Sequence, residues 1–163
     1  MNTKSWNKIS VTLIFVIKRS REVLLGQILG GTIAGFVTPP GGKVEKSDKN
    51  IKDAAARELA EETNLKARQI HQVAEVRIRI SGKRKTVILN VFVCKSWSGR
   101  LRRESREFSY LKWFNISRIP YHKMAPGDEE WVRRILRGER LDVDVICHND
   151  RCDLREIKIK ILP

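Results

Sequence analysis

Between Ile9 and Ile17 the chain is mostly apolar, and after the polar break from Lys18 to Glu22 a second apolar stretch runs from Val23 to Leu29. Short apolar runs bounded by charged residues predict strands, here over residues 9–17 and 23–29. The rhythm changes after residue 50. Ile51, Ala55 and Leu59 recur at i, i+4 and i+8, which predicts a helix over about 51–63 with that stripe packed on a core. Residues 70–80 and 85–95 read as a long hairpin turning at Ser81-Gly82, and 110–115 as a short strand. From Pro126 to Gly138 a second helix is expected. Asp128, Glu129 and Glu130 fall in its first turn and Arg133, Arg134 and Arg137 lie further on, an order that suits the helix dipole. A last hairpin, about 141–147 and 153–161, turns at His148-Asn149-Asp150-Arg151. Strands and helices mixed in this way, without repeats or low-complexity linkers, predict an α/β fold in which a mixed sheet lies between helices as an α/β/α sandwich.

The first helix carries the candidate chemistry. At 3.6 residues per turn, Glu58, Glu61 and Glu62 fall within roughly 100° of its circumference, with Arg57 beside Glu61. This acidic edge lies beside the apolar stripe. An acidic edge alone is most simply a solvated face, since each like-charge pair at i,i+4 costs only about 0.2–0.5 kcal/mol. The preceding loop changes that assessment, because Gly41 and Gly42 allow backbone conformations and close approaches denied to other residues. Hard cations such as Mg²⁺ take one or two carboxylates and complete their octahedron with water and substrate phosphates. Glycine loop and acidic edge together form the layout of a Mg²⁺-pyrophosphate site.

These residues resemble the Nudix hydrolase family, whose box reads G-x5-E-x7-R-E-U-x-E-E-x-G-U, U being aliphatic. Gly42 matches the opening glycine, and Arg57-Glu58-Leu59-Ala60-Glu61-Glu62 matches the central block throughout. Three departures stand out. Ser47-Asp48 replaces the usual Gly-Glu, the stretch from Gly42 to Arg57 is one residue longer than the pattern, and Asn64 replaces the last glycine. Asn is the next best residue at a left-handed helix end. The loop carboxylate is left open between Asp48, Glu45 and neither. Val11 to Gly26 and the segment from Trp113 to Trp131 extend the resemblance to the MutT-like branch, which includes oxidised-purine nucleoside triphosphatases. That branch holds its purine with a tryptophan and an acidic pair, where this chain has Ala125, Gly127 and Asp128.

The resemblance implies a Nudix-type α/β/α sandwich spanning residues 1–163 as one domain, and Mg²⁺-dependent hydrolysis of a nucleoside triphosphate to monophosphate and pyrophosphate, with Mn²⁺ as an alternative cofactor. Glu58, Glu62 and Glu61 would hold the metal and accept a proton from water, while Arg57 orients a box carboxylate. Glu107 either reaches the metal site, as a late-loop glutamate does in that branch, or is an ordinary charged loop residue. Lys43, after Gly41 and Gly42, is a candidate phosphate contact; Thr38 and Asp128 are candidate base contacts by resemblance. Other nucleoside-diphosphate-linked molecules, such as a nucleotide sugar, and RNA 5′ ends remain alternative substrates. A non-catalytic nucleotide- or RNA-binding module is a third alternative, against which the intact Arg57 to Glu62 block speaks.

Composition narrows the setting. The chain has 163 residues, 41% of them hydrophobic, enough for one core and short for two. The run Val11–Ile17 is too short to span a membrane and no signal-peptide pattern follows it, so a cytoplasmic protein without a membrane partner is expected. Three cysteines argue against a disulfide framework: Cys94 reads as a buried small hydrophobe, and Cys147, His148 and Cys152 lack the fourth ligand of structural zinc. Lys and Arg number 33 against 19 Asp and Glu, a net charge of +14. Such a field attracts polyphosphates and nucleic acid alike. With aromatics at 7% and no RNA-binding signature, charge alone does not establish an RNA partner.

Overall fold

In the computed structural model, which describes residues 6–163, strands and helices follow the predicted order. The strands are β1 (Asn7–Lys18), β2 (Glu22–Ile28), β3 (Val37–Thr38), β4 (Lys66–Ile80), β5 (Lys85–Ser98), β6 (Phe108–Asn115), β7 (Arg140–Cys147) and β8 (Leu154–Leu162); the helices are α1 (Ile51–Thr63) and α2 (Asp128–Leu136). The sheet order is β3-β2-β1-β5-β4-β7-β8, with β6 also paired to β2. β1 runs parallel to β5, in register from Asn7 opposite Lys85 to Val16 opposite Cys94, and β4 runs parallel to β7. The other pairings are antiparallel, so the sheet is mixed.

Why β1 reads as an apolar run is plain from its surroundings: it is covered on both faces. Phe15, with Val23 and Leu25 of β2, packs with Trp131, Val132 and Ile135 of α2. Ile14 and Val16, with Leu24, pack with Ala55 and Leu59 of α1. Successive residues of one strand thus feed two cores, and α1 and α2 close opposite faces of the sheet in an α/β/α sandwich. Each fully buried aliphatic or aromatic side chain of this kind contributes about 1.5–3 kcal/mol. Trp131 adds an edge-on contact to Phe15 at 6.1 Å between ring centres.

Helix α1 is fixed at both ends by asparagine. Asn50 caps it by accepting the Asp53 N–H at 2.8 Å, and Asn64 ends it in the left-handed conformation, φ 64°, donating its N–H to the Ala60 carbonyl.

Three expectations need correction. Ile51, in the first turn of α1, is exposed; the buried face is Ala54, Ala55, Glu58, Leu59, Glu62 and Thr63, so two of the acids share the packed side. The two-residue β3 escaped prediction because Val37-Thr38 is too short to show a period. Cys147 and Cys152 are joined by a disulfide, contrary to the reading of all three cysteines as unpaired, while Cys94 is free and buried. The predicted hairpin contained the explanation: its turn brings residues 147 and 152 face to face, with Cα atoms 4.6 Å apart. No helix among the described residues is long and apolar enough to cross a membrane.

Candidate active site

The glycine loop runs antiparallel along β1. Thr12 donates its N–H to the Gly42 carbonyl at 2.8 Å, Ile14 to the Pro40 carbonyl at 2.8 Å, and Val44 to the Ser10 carbonyl at 3.0 Å. Neither Gly41 nor Gly42 has positive φ, so conformational freedom is not what either supplies. What each supplies is room. A Cβ on Gly41 would run into the Thr12 carbonyl, and one on Gly42 would lie 2.5 Å from the Glu58 carboxylate. The loop backbone is pressed directly against the acidic helix.

Arg57 ties the two together. Its Nε and Nη2 donate to the two oxygens of Asp48 at 2.8 and 2.9 Å, Nη1 donates to Glu58 Oε1 at 2.9 Å and Glu61 Oε2 at 3.2 Å, and Nη2 reaches the Lys43 carbonyl at 3.1 Å. The fork geometry on Asp48 is one that only arginine provides. Asp48 also accepts the Glu45 N–H at 2.8 Å. These bonds, that to Arg57 first, hold the Asp48 carboxyl down at about 2, and the same pairing raises Arg57 further into its charged range. Of the two loop carboxylates left open by the sequence, Asp48 is therefore engaged by Arg57. The Glu45 carboxylate stands 3.9 Å from the guanidinium and is largely exposed.

Glu58 and Glu62 are buried, at 7% and 8% exposure, whereas the Glu61 side chain is more than half exposed. Burial raises the Glu58 carboxyl above its ordinary range; Arg57 opposes the shift, and Glu61 and Glu107 add to it. Glu62 accepts a hydrogen bond from the Ser105 hydroxyl at 2.7 Å. Glu107, just beyond, is likewise raised by burial and then by repulsion from Glu62 and Glu61, which puts it in the same electrostatic neighbourhood. Among the described residues no three acidic, histidine or cysteine side chains converge on one point; Glu58 is turned to Arg57 and Glu62 to Ser105. The donor set suits a hard divalent cation: two buried carboxylates, with others at the margin.

Other sequence candidates lie apart from this centre or beside it without side-chain engagement. Lys43 is exposed and joins the site only through its carbonyl. Thr38 sits half-buried in β3, opposite Gly26. Asp128 begins α2 on the opposite face of the sheet from α1, where its carboxylate accepts the Trp131 indole N–H at 3.1 Å; enclosure pushes the carboxyl up to about 7 against the pull of that bond. Sequence reasoning missed Ser105, one residue after Glu104 in a stretch singled out only for Glu107. Surface hollows lie beside Trp6 and Ile146 and beside His71 and Arg140, and neither is lined by Glu58, Glu61 or Glu62.

Comparison with known proteins gives this arrangement a context. Residues 6–135 match the NUDIX domain. The oxidized purine nucleoside triphosphate hydrolase of Danio rerio is 32% identical over 130 residues, covering 80% of this chain and 81% of that protein. The protein of the same name from Mus musculus is 31% identical over 129 residues, covering 79% and 80%. Among solved structures, a MutT protein from Bacillus halodurans superposes with a TM-score of 0.81 at 22% identity, over 93% of this chain and 97% of that one. The NUDIX domain of Shewanella oneidensis NrtR, solved with ADP ribose, gives a TM-score of 0.63 at 19% identity, over 83% and 88%. At such identities the structures speak for the fold alone. The domain match, however, runs from Trp6 almost to the end of α2, far beyond one motif, and the chain belongs to the Nudix hydrolase family.

Proposed function

We propose that this Nudix hydrolase cleaves a phosphoanhydride bond of a nucleoside triphosphate in a Mg²⁺-dependent reaction, releasing the monophosphate and pyrophosphate. The observation that carries the proposal is the contact between Gly42 and Glu58: the glycine loop is packed directly against the helix edge that bears the carboxylates. Glu58 and Glu62 would hold Mg²⁺, or Mn²⁺ in its place, with Glu61 and Glu107 at the margin, and the bound cation would neutralise the diphosphate and lower the pKa of a water molecule. One carboxylate of this group accepts the proton of the attacking water. Arg57 orients the site, since its guanidinium is spent on Asp48, Glu58 and Glu61. Thr38 and Asp128 are the proposed base contacts, and the oxidised-purine preference is carried over from the names of the Danio rerio and Mus musculus relatives. The +14 charge raises the rate of encounter with polyphosphates at low salt.

A second substrate class has one observation in its favour. Arg100, Arg102, Arg103 and Arg106 lie exposed on the β5–β6 loop that carries Ser105 and Glu107, and none makes an ion pair among the described residues. A 5′-triphosphate RNA end would meet these cations beyond its phosphates.

The proposal is tested by measuring pyrophosphate release from a nucleoside triphosphate with and without Mg²⁺, for the wild type and Glu62→Gln. Release that needs the metal and falls more than about 100-fold in the variant is expected, since partners behind metal ligands already cost 10–100-fold when lost. Equal turnover in the two proteins would remove Glu62 from the site.

A further inference from the structure

The β5–β6 loop is seated on the C-terminal end of α1. Arg102 donates its N–H to the Thr63 carbonyl at 2.9 Å, the Asn64 side chain donates to the Arg100 carbonyl at 3.0 Å, and Leu111 donates to the Arg103 carbonyl at 2.7 Å. Phe108 anchors the far end of the loop in the core beneath α1, and the Glu107 carbonyl accepts the Leu29 N–H at 2.8 Å. Ser105 stands at the centre of this arrangement. Its oxygen accepts the N–H groups of Glu107 and Phe108, both at 3.2 Å, while its hydroxyl donates to Glu62 Oε2 at 2.7 Å.

A serine hydroxyl has one proton and two lone pairs. With both lone pairs engaged by backbone donors, the proton has a single direction left, toward Glu62. The hydrogen bond is therefore oriented by the loop and is charge-assisted, which makes it stronger than a neutral one. It occupies one carboxylate oxygen, and no donor reaches the other, Oε1, among the described residues. The same hydroxyl fixes the turn that brings Glu107 beside Glu61 and Glu62.

We propose that Ser105 is a positioning residue of the Nudix site: it locks the Glu62 carboxylate with one oxygen presented for a divalent cation, and couples that lock to the placement of Glu107. The inference deepens the reading of Glu58 and Glu62 as metal-holding carboxylates and rests on it. A serine that merely shapes a turn would make the two backbone contacts and have no need of Glu62.

The test is Mn²⁺ binding to the substrate-free protein, followed by the electron paramagnetic resonance of the free ion, for wild type, Ser105→Ala, Ser105→Thr, Glu62→Gln and the Glu62→Gln/Ser105→Ala pair. Ser105→Ala is expected to weaken Mn²⁺ binding about 10-fold and to lower kcat with the KM for nucleotide within about twofold. Ser105→Thr, which keeps the hydroxyl, restores both. In the Glu62→Gln background Ser105→Ala adds no further loss, because the group it acts through is already altered. Two results would overturn the proposal: Mn²⁺ binding by Ser105→Ala within twofold of wild type, or an undiminished loss in the Glu62→Gln background. If Ser105→Ala does not fold, Ser105→Cys, a similar shape with a weak donor, takes its place in the same cycle. A wild type that binds no Mn²⁺ would defeat the metal reading of α1 and this inference together, whereas normal wild-type binding with an unaffected Ser105→Ala would defeat this inference alone.

Discussion

On the α1 face of the sheet, Asp48 and Glu58 share one guanidinium, and Asp48 stays ionised down to about pH 2. On the α2 face, Asp128 has the indole N–H of Trp131 and no cation partner among the described residues, and burial raises it to about 7. Asp48 is thus kept charged, while Asp128 is brought near neutrality. The difference lies in what meets each carboxylate: a cationic fork in the first case, burial with a neutral donor in the second. A site that must attract a cation needs charged acids. A protonated carboxyl can donate a hydrogen bond, which suits contact with a base. The two faces also diverge in fidelity to the family, since α1 keeps its whole acidic block while the α2 segment has Ala125 and Gly127 where the related branch has a tryptophan and an acid.

The comparison can be broken at several points. The largest effect on turnover within this comparison is expected from Gly42→Ala, whose methyl group would lie 2.5 Å from the Glu58 carboxylate, so that the loop or the Glu58 side chain must shift. A displacement of about 1 Å at such a site costs up to roughly 100-fold, so kcat should fall about 10- to 100-fold in steady-state assays, with little change in secondary structure by circular dichroism. Next, Arg57→Ala makes the α1 face resemble the α2 face by leaving two mostly buried carboxylates without a counter-charge. Its Tm at neutral pH should drop by on the order of 5 °C; a scanning calorimetry trace that matches wild type would show that the guanidinium is not what sustains Asp48 and Glu58.

The most diagnostic effect concerns pH. Asp48 binds a proton less readily when folded, so its stabilisation is present above the ordinary value of 3.8 and is lost as pH falls through about 2. Asp128 binds a proton more readily when folded, so its contribution is present below 3.8 and is lost as pH rises through about 7. Asp128→Asn keeps an acceptor for the indole and cannot ionise. Its Tm should therefore rise relative to wild type between pH 4 and pH 7, by an amount that grows steadily toward the upper end. A difference independent of pH would mean that the Asp128 carboxyl does not titrate in this range.

Much of this was legible in the sequence. Apolar runs and helical spacing located seven of the eight strands and both helices, and Asn64 announced the left-handed end of α1. The residues of the acidic block and the glycine loop were nameable because they lie close together along the chain. What escaped depended on contacts between distant segments. Ser105 meets Glu62 across 43 residues, and no local pattern marks such a pairing. The burial of Glu58 and Glu62 with the exposure of Glu61 follows from where the glycine loop and the β5–β6 loop lie, which periodicity places only to within a turn of helix. The disulfide was inferable in principle, since the predicted turn at His148 to Arg151 leaves Cys147 and Cys152 as its flanking pair. The odd cysteine count was the wrong signal to follow, because it describes the whole chain and the bond is local.

The most direct test of the central claim, that the α1 site converts nucleoside triphosphates to monophosphate and pyrophosphate, is product analysis in Mg²⁺ on a matched panel: dGTP, an oxidised-purine triphosphate, ADP-ribose and a 5′-triphosphate oligoribonucleotide. Monophosphate and pyrophosphate from the free triphosphates, at a higher kcat/KM than for the other two, is the predicted result. Cleavage of ADP-ribose or the RNA end with no turnover of either free triphosphate would contradict it.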